Sequence, residues 1–139
     1  MVQGLNCKYI FLDHISIVIS GISEGDERRN IDNLMTNLRK LVEEVNCGMF
    51  VVSHLKRVDS KTGHEEGIQT SLSHLRGSHS LAQLSDAVIG FERDQQSETE
   101  NNIMTVRVLK NRFTGDTGVA CDLIWNKDTG RLVEGNFDE

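Results

Sequence analysis

The chain has 139 residues and a formal net charge of −6, with 37% hydrophobic and 26% charged residues; this length suits one domain with a hydrophobic core and is short for two. The acidic balance argues against a nucleic-acid-binding surface over the whole chain, so any contact with DNA has to be local. Three widely spaced cysteines exclude a disulfide framework and a CxxC metal site. No apolar run reaches about 20 residues, and no signal-peptide pattern occurs. We therefore expect an intracellular protein that is neither secreted nor inserted in a membrane.

The first part of the chain predicts a strand, a helix and a second strand. Residues 9–13 (YIFLD) are an apolar run that ends in a carboxylate, as in a buried strand whose last residue emerges at the carboxyl edge of a sheet. Residues 26–45 carry apolar side chains at helical spacing, with Ser23 or Asp26 as the N-cap. Residues 49–54 (MFVVSH) are a second buried strand, and a strand–helix–strand crossover predicts parallel pairing.

The second part predicts a long loop followed by antiparallel strands. Residues 55–78 are polar without a period, which is typical of a functional loop or a disordered one. A short helix at residues 80–87 comes next. Strands, the last of them entered through a turn, are then expected at residues 88–93, 102–113, 119–126 and 131–135. We therefore predict one α/β domain over the whole chain, with parallel strands first and antiparallel hairpins toward the C terminus.

Two side chains at the ends of the predicted parallel strands are candidates for a nucleotide site. Open α/β sheets bind ligands at this edge, and in P-loop ATPases an aspartate placed like Asp13 holds Mg²⁺, which prefers hard oxygen ligands. His54 ends the next strand at the same edge, where an imidazole could hydrogen-bond a phosphate. The simpler alternatives are that Asp13 caps a loop and that His54 caps a strand.

Cations form a second group of candidates. Lys110 and Arg112 lie two residues apart in KNRFTGDTG, on one side of a strand that enters a glycine turn. The arginine fork suits phosphate, although two solvated cations beside a turn explain the pair as well. The loop at residues 55–78 contains cations and carboxylates in similar number, so its charge is only weakly positive, and its histidines match no zinc-binding pattern.

One expected motif is missing. The sequence contains no GxxxxGK[ST], the Walker A loop that cradles the α- and β-phosphates of a nucleotide. Its only lysine–threonine pair, Lys61-Thr62, precedes its glycine. A nucleotide bound at the predicted sheet edge would therefore need its phosphate loop from elsewhere.

The order of the motifs is more specific than any one of them. LDHISIV, SEGDERRNIDNLM, VVSHLKR, LRGSHSLAQLSDAVIGFERDQQ and VLKNRFTGDTG resemble the helicase half of the bifunctional primase-helicases of T-odd coliphages and of their mitochondrial relative Twinkle, with bacterial DnaB helicases as more distant relatives. The resemblance covers residues 1 to about 130. It implies a partial RecA-like P-loop NTPase core that lacks its Walker A segment.

The resemblance assigns nucleotide-site roles at matching positions. Asp13 resembles the Walker B aspartate that holds Mg²⁺, and His54 resembles the sensor at a strand end. Arg112 resembles the arginine finger that reaches a neighbouring subunit's nucleotide, with Lys110 as its companion cation. We expect Asp13, His54 and Arg112 to emerge from one edge of a common sheet.

The resemblance also implies how the chain meets DNA. Such proteins form hexameric rings and use nucleoside triphosphate hydrolysis to move along single-stranded DNA and open the duplex. By position, the loop that faces DNA in the channel contributes Lys56, Arg57 and Lys61. The motif that links this loop to the γ-phosphate contributes Arg76, Gly77 and Gln83.

The function implied is that of part of a replicative helicase in the cytoplasm of a bacterial or phage-infected cell. The complete protein would use Mg²⁺ and ATP or another nucleoside triphosphate. It would bind single-stranded DNA, copies of itself and other replisome proteins. The family's phosphate loop and catalytic glutamate lie before the part matched here, so we expect no hydrolysis and no tightly bound cofactor in this chain alone. The alternatives are a stand-alone, non-catalytic module that binds single-stranded DNA or helicase subunits, and a piece of a RecA-like recombinase or clock-type ATPase, against which LDHIS and KNRFTGDTG argue.

Overall fold

The structure is a computed structural model that describes residues 4, 6–21, 26–56, 63–75 and 79–135. The chain forms two compact units. The first unit is built from residues 1–56 and 75–85, and the second from residues 57–74 and 86–139. None of the helices in the described ranges is both long and apolar enough to cross a bilayer.

The first unit contains a two-stranded parallel sheet. Strand β1 (Tyr9–Leu12) pairs with strand β2 (Gly48–Val51), with Tyr9 opposite Gly48 and Leu12 opposite Val51. A Cβ at residue 48 would lie 2.8 Å from the Tyr9 ring, so any other residue at the start of β2 would displace that ring. The predicted parallel strand–helix–strand order is confirmed.

Strand β2 is shorter than predicted. It ends at Val51 rather than at residue 54. Beyond it, Val52 donates its N–H to the Leu12 carbonyl at 2.9 Å and accepts from the N–H of Ile15 at 3.0 Å. The first bond continues the pairing with β1 by one residue, and the second joins Val52 to the first residue of the following helix, so the strand pairing ends there.

Three helices with described bounds complete the first unit. Helix α1 (Ile15–Ser20) follows β1, α2 (Glu27–Val45) connects the two strands, and α3 (His79–Leu84) returns later in the chain. Asp26 is the N-cap of α2, since its Oδ1 accepts from the N–H of Arg28 at 3.0 Å. Asn46 ends α2 in the left-handed conformation, with φ at 50°, which asparagine tolerates better than most residues.

The core of the first unit forms where these helices meet one face of the sheet. Its buried members are Ile15, Ile19, Ile31, Met35 and Leu81. Around them pack the partly buried side chains of Leu12, Leu34, Leu38, Val51, Leu75 and Leu84. The apolar positions of α2 thus face the core, as their helical spacing predicts.

The other face of the sheet is apolar and exposed. Phe11 is 76% exposed and stacks on Phe50, with ring centroids 4.7 Å apart, and Tyr9 and Val52 are exposed beside them. Parallel sheets are normally covered on both faces, and strands of that kind are continuous apolar runs like YIFL. The prediction of fully buried strands is therefore wrong for this face, because none of the described residues covers it.

The second unit is an antiparallel sheet with strands in the order β3-β4-β5-β6. Its strands are β3 (Ala87–Glu92), β4 (Ile103–Asn111), β5 (Gly118–Asn126) and β6 (Arg131–Glu134). The turn before β6 forms because the Asn126 side chain accepts from the N–H groups of Asp128 and Thr129, both at 3.0 Å, and Gly130 has a φ of 63°. The predicted change from parallel to antiparallel strands is confirmed.

The predicted loop at residues 55–78 is partly structured where it is described. Leu55 and Leu75 form an isolated antiparallel bridge within the first unit, and Leu72–His74 is a turn of 3₁₀ helix. In the second unit, Glu66 forms a second antiparallel bridge with Asp94. Backbone bonds to distant residues therefore order a segment whose own sequence has no period.

Candidate functional site

The carboxyl edge of the parallel sheet brings together Asp13 and His54. Asp13 directly follows β1 and is exposed, and His54 lies three residues after β2. Because the strands are parallel, both residues leave the sheet at the same edge. The His14 ring, which follows Asp13 through a cis peptide bond, lies 4.1 Å from the His54 ring between centroids. The two predicted strand-end residues therefore lie at the same sheet edge, and the residue in contact with His54 is His14.

His14 is a member of this edge that sequence reasoning missed. Its Nδ1 atom is buried and has no hydrogen-bond partner among the described residues. The signal was present, since His14 adjoins Asp13 in the sequence, but only the parallel pairing of β1 with β2 places it against His54. The imidazole of His54 is thus packed on one side by a second imidazole and is otherwise exposed.

Asp13 fits the role of one magnesium ligand and no more. Its exposed carboxylate supplies hard oxygen at the sheet edge, which is the donor that Mg²⁺ prefers. Across the described ranges, no group of three or more histidine, cysteine, aspartate or glutamate side chains could hold a metal ion. Mg²⁺ is commonly held by one or two carboxylates together with phosphate oxygens and water, so a single aspartate is compatible with it.

The two predicted phosphate-binding cations lie at the end of β4. Lys110 is on the strand, opposite Val88, but Arg112 lies one residue beyond it, in a turn. The strand ends at Asn111 because its side-chain oxygen accepts from the backbone N–H groups of the two residues after Arg112. The prediction that both cations project from one side of a strand is therefore wrong for Arg112.

Arg112 is held beside the start of β3. Its Nη1 lies 3.1 Å from Oδ1 of Asp86, and its backbone N–H donates to the Asp86 carbonyl at 2.8 Å. The Arg112 side chain remains 58% exposed. An exposed ion pair of this kind contributes at most about 1 kcal/mol, so the guanidinium can exchange Asp86 for another anion at small cost.

The three nucleotide-site candidates do not share a sheet. Asp13 and His54 follow strands of the two-stranded sheet, whereas Arg112 follows β4 of the four-stranded sheet. In the described part of the chain, backbone pairing does not continue from β1–β2 to β3–β6. The expectation of one common sheet is therefore wrong for Arg112.

The remaining predicted residues are only partly described. Gln83 is exposed on α3 and lines a groove with Arg28, Asp32 and Thr36 of α2. Lys56 is exposed directly after the Leu55–Leu75 bridge, at the start of the loop that is predicted to contact DNA. Four further predictions concern residues outside the described ranges: Arg57, Lys61, Arg76 and Gly77.

A buried ion pair in the second unit was not anticipated. Glu92 at the end of β3 is 8% exposed, and Arg107 on β4 donates to both of its carboxylate oxygens, at 2.7 and 3.1 Å. Thr70 donates to Oε1 of Glu92 through both its N–H and its hydroxyl, each at 2.7 Å. The signal in the sequence was a carboxylate at an inward position of an apolar strand, two residues after Gly90.

Burial and hydrogen bonding act in opposite directions on this carboxylate. Burial raises the pKa of Glu92, but the hydrogen bonds from Arg107 and Thr70 together with the charge of Arg107 outweigh it, so the net pKa is lowered. In return, the hydrogen bond to Glu92 raises the pKa of Arg107. Both groups are therefore charged at neutral pH.

The α/β fold, with candidate nucleotide-binding residues at the carboxyl edge of its parallel sheet, agrees with the result of comparing the chain with known protein families. The family model described as "DnaB-like helicase C terminal domain" matches residues 1–134, and the chain belongs to this family. The family expectation from the sequence motifs is thereby confirmed.

Individual relatives agree with this assignment. The chain is 46% identical over 137 residues to the DNA helicase/primase of Enterobacteria phage T3, which is 99% of this chain and 24% of that protein. It thus spans about a quarter of that relative's length. Among solved structures, a DnaB-like replicative helicase studied with its interactions with primase superposes with a TM-score of 0.71 at 22% identity, over 90% of this chain and 29% of that one. Because the identity is only 22%, the similarity to this solved structure supports the fold alone.

Proposed function

We propose that this chain is the C-terminal part of the motor domain of a ring-forming replicative DNA helicase, which couples nucleoside triphosphate hydrolysis to movement along single-stranded DNA. The observation that carries the proposal is that Asp13 and His54 leave the parallel sheet at the same edge, in a chain of this family. Because no Walker A loop is present in the sequence, we propose that the isolated chain does not hydrolyse nucleotide.

At the sheet edge, each side chain has a distinct task. Asp13 would hold Mg²⁺, which when bound would supply positive charge to neutralise the phosphates of the nucleotide. His54 hydrogen-bonds the terminal phosphate. Because Lys56 follows two residues later at the start of the predicted DNA loop, loss of that phosphate would change the position of the loop's first residues.

Arg112 acts on a neighbouring subunit's nucleotide. Its guanidinium is always charged and mostly exposed, and among the described residues its ion pair is with the partly exposed Asp86, so it is able to reach an external phosphate. A guanidinium that stabilises the transferring phosphoryl group in trans accelerates hydrolysis by about 10³-fold or more. Lys110, two residues before it, adds a second positive charge at the same strand end.

Contact with DNA comes from the loop that begins at Lys56. One subunit is acidic and its loop is only weakly basic, but a hexameric ring places six copies around one strand, and their charges add. We assign DNA contact to Lys56, Arg57 and Lys61, and the link from this loop to the γ-phosphate to Arg76, Gly77 and Gln83. Other replisome proteins would bind the complete ring.

A chimera tests the proposal. The segment of the phage T3 helicase/primase that matches this chain would be replaced by residues 1–134, and nucleoside triphosphate hydrolysis and duplex unwinding measured. We expect hydrolysis stimulated by single-stranded DNA, its loss in Asp13→Asn, and a loss of about 10³-fold in Arg112→Lys with nucleotide binding retained. A chimera that forms rings but hydrolyses equally well as Asp13→Asn would contradict the assignment.

The isolated chain provides the second test. We expect no hydrolysis above background and weak, salt-sensitive binding to single-stranded DNA. Turnover that disappears in Asp13→Ala would overturn the proposed inactivity. Tight binding by the monomer at physiological salt would instead favour a stand-alone DNA-binding module.

A further inference from the structure

The Glu92 carboxylate holds a segment that the proposed mechanism leaves unexplained. Residues 63–75, here called the returning limb, lie between the predicted DNA-contacting cations and Arg76 in the sequence. Thr70 on this limb is 2% exposed, and its N–H and hydroxyl both donate to Glu92 Oε1 at 2.7 Å. The limb is therefore attached to the end of β3 through a buried charge rather than through a strand ladder.

Further contacts fix the same limb along β3 and the residues after it. Glu66 forms a backbone bridge with Asp94, and the N–H of Gln95 donates to the Glu65 carbonyl at 2.9 Å. A Cβ at Gly90 would collide with the Thr70 hydroxyl, so β3 and the limb approach too closely for any other residue there. These contacts define one register of the limb against β3.

Arg107 sets the position of the carboxylate itself. Its two hydrogen bonds, one to each oxygen of Glu92, fix the plane of the carboxylate and leave Oε1 aimed at Thr70. Buried ion pairs are weak contributors to stability compared with apolar residues of similar size. Unlike an apolar pair, this ion pair provides an acceptor for the backbone N–H of Thr70. It therefore sets the register of the limb against β3.

We propose that Glu92 is a positioning residue for the DNA-facing loop: held by Arg107, it fixes Thr70 and thereby the register of the returning limb, which couples DNA contact to hydrolysis. The coupling rests on the proposed function, because the loop's role in DNA binding belongs to that proposal. The attachment of the limb to Glu92 does not, so the two are tested separately.

Amide hydrogen exchange in this chain tests the attachment. In Glu92→Gln we expect the Thr70 amide to exchange at least about tenfold faster, because a charged acceptor is replaced by a neutral one beside an uncompensated Arg107. Amides in the β4–β5 ladder should keep their rates. Asp122→Asn is the matched control: it removes a carboxylate that accepts from Thr105 on the same sheet at 2.5 Å, without a bond to the limb.

A second variant, Thr70→Val, keeps the test informative if Glu92→Gln does not fold. Thr70→Val keeps the backbone N–H bond to Glu92 and removes only the hydroxyl, so we expect a smaller acceleration at Thr70 in a folded protein. Unchanged Thr70 exchange in both Glu92→Gln and Thr70→Val would overturn the proposed attachment.

Hydrolysis by the chimeric helicase tests the coupling. In Glu92→Gln we expect stimulation by single-stranded DNA to fall at least about tenfold, while hydrolysis without DNA and the KM for nucleotide stay within about twofold, and Asp122→Asn keeps full stimulation. Faster limb exchange with full stimulation would refute the coupling. A wild-type chimera without any DNA stimulation would count against the proposed function instead, and the exchange result would still decide what Glu92 holds.

Discussion

At the scale of single residues, the clearest feature that the structure adds to the sequence is the buried carboxylate of Glu92. It is a charged residue on a strand, buried with its charge matched by Arg107 and its remaining acceptor capacity used by Thr70. A buried carboxylate without such partners would become protonated instead. The lowered pKa of Glu92 therefore links the stability of the second unit to pH.

The sign of this dependence follows from the direction of the shift. The ordinary pKa of the side chain is 4.5, and the folded value is lower, so the stabilisation is complete above pH 4.5 and is lost as the pH falls through the folded value. We expect Glu92→Gln to lower the free energy of unfolding by about 3 kcal/mol at pH 7, since it leaves Arg107 uncompensated. The difference between wild type and variant should shrink below pH 4.5.

Urea unfolding at pH 7 and at a series of acid pH values measures this difference. Asp122→Asn serves again for comparison, because it removes a carboxylate from β5 of the same sheet. A difference between wild type and Glu92→Gln that grows as the pH falls would contradict the lowered pKa.

At the scale of elements, α2 shows how local signals place a helix. Asp26 caps its first turn and Asn46 ends it, and both residues are recognisable from the sequence. Replacing Asp26 with alanine leaves the N–H of Arg28 without its acceptor. We expect Asp26→Ala to destabilise the protein by about 1 kcal/mol, measured by urea unfolding.

Asp26→Asn separates the cap from the charge. Asparagine caps helices about as well as aspartate, so this variant should retain nearly the wild-type stability. Equal losses in Asp26→Ala and Asp26→Asn would mean that the charge near the helix N terminus, and not the hydrogen bond, is what stabilises α2.

At the scale of the whole molecule, the exposed aromatic face of the β1–β2 sheet is the most consequential feature. Its four side chains, Tyr9, Phe11, Phe50 and Val52, are 46–76% exposed on a parallel sheet of a type that is normally covered. Contiguous apolar surface of this kind favours association. We expect the chain to self-associate as its concentration rises, as measured by light scattering.

Paired variants locate the association. Phe11→Ser combined with Phe50→Ser should reduce it, because these two rings stack at the centre of the face. Phe113→Ser is the control, since that ring is 81% exposed in the turn after β4 and not part of the sheet face. A monomer at high concentration, or equal effects of both changes, would show that this face is not the contact.

The sequence by itself determined the family and most of the elements in their order, but it did not predict helix α1 (Ile15–Ser20). Strand runs, helical spacing, caps and turns are local, so β1, α2 and the hairpin before β6 are recognisable without a structure. The order of the motifs was enough to identify a segment of a DnaB-like helicase. Asp13 and His54 were placed at one edge because parallel pairing follows from a crossover.

Only the tertiary structure decided which side chains meet. Glu92 lies 22 residues from Thr70 and 15 from Arg107 in the chain, and His14 meets His54 across two strands, so no local pattern encodes these contacts. The division into two sheets likewise depends on pairing between distant strands. It places β4, which Arg112 follows, in a different sheet from β1 and β2, which precede Asp13 and His54. The physical reason is that backbone periodicity is set by neighbours in sequence, whereas charge pairing and burial are set by neighbours in space.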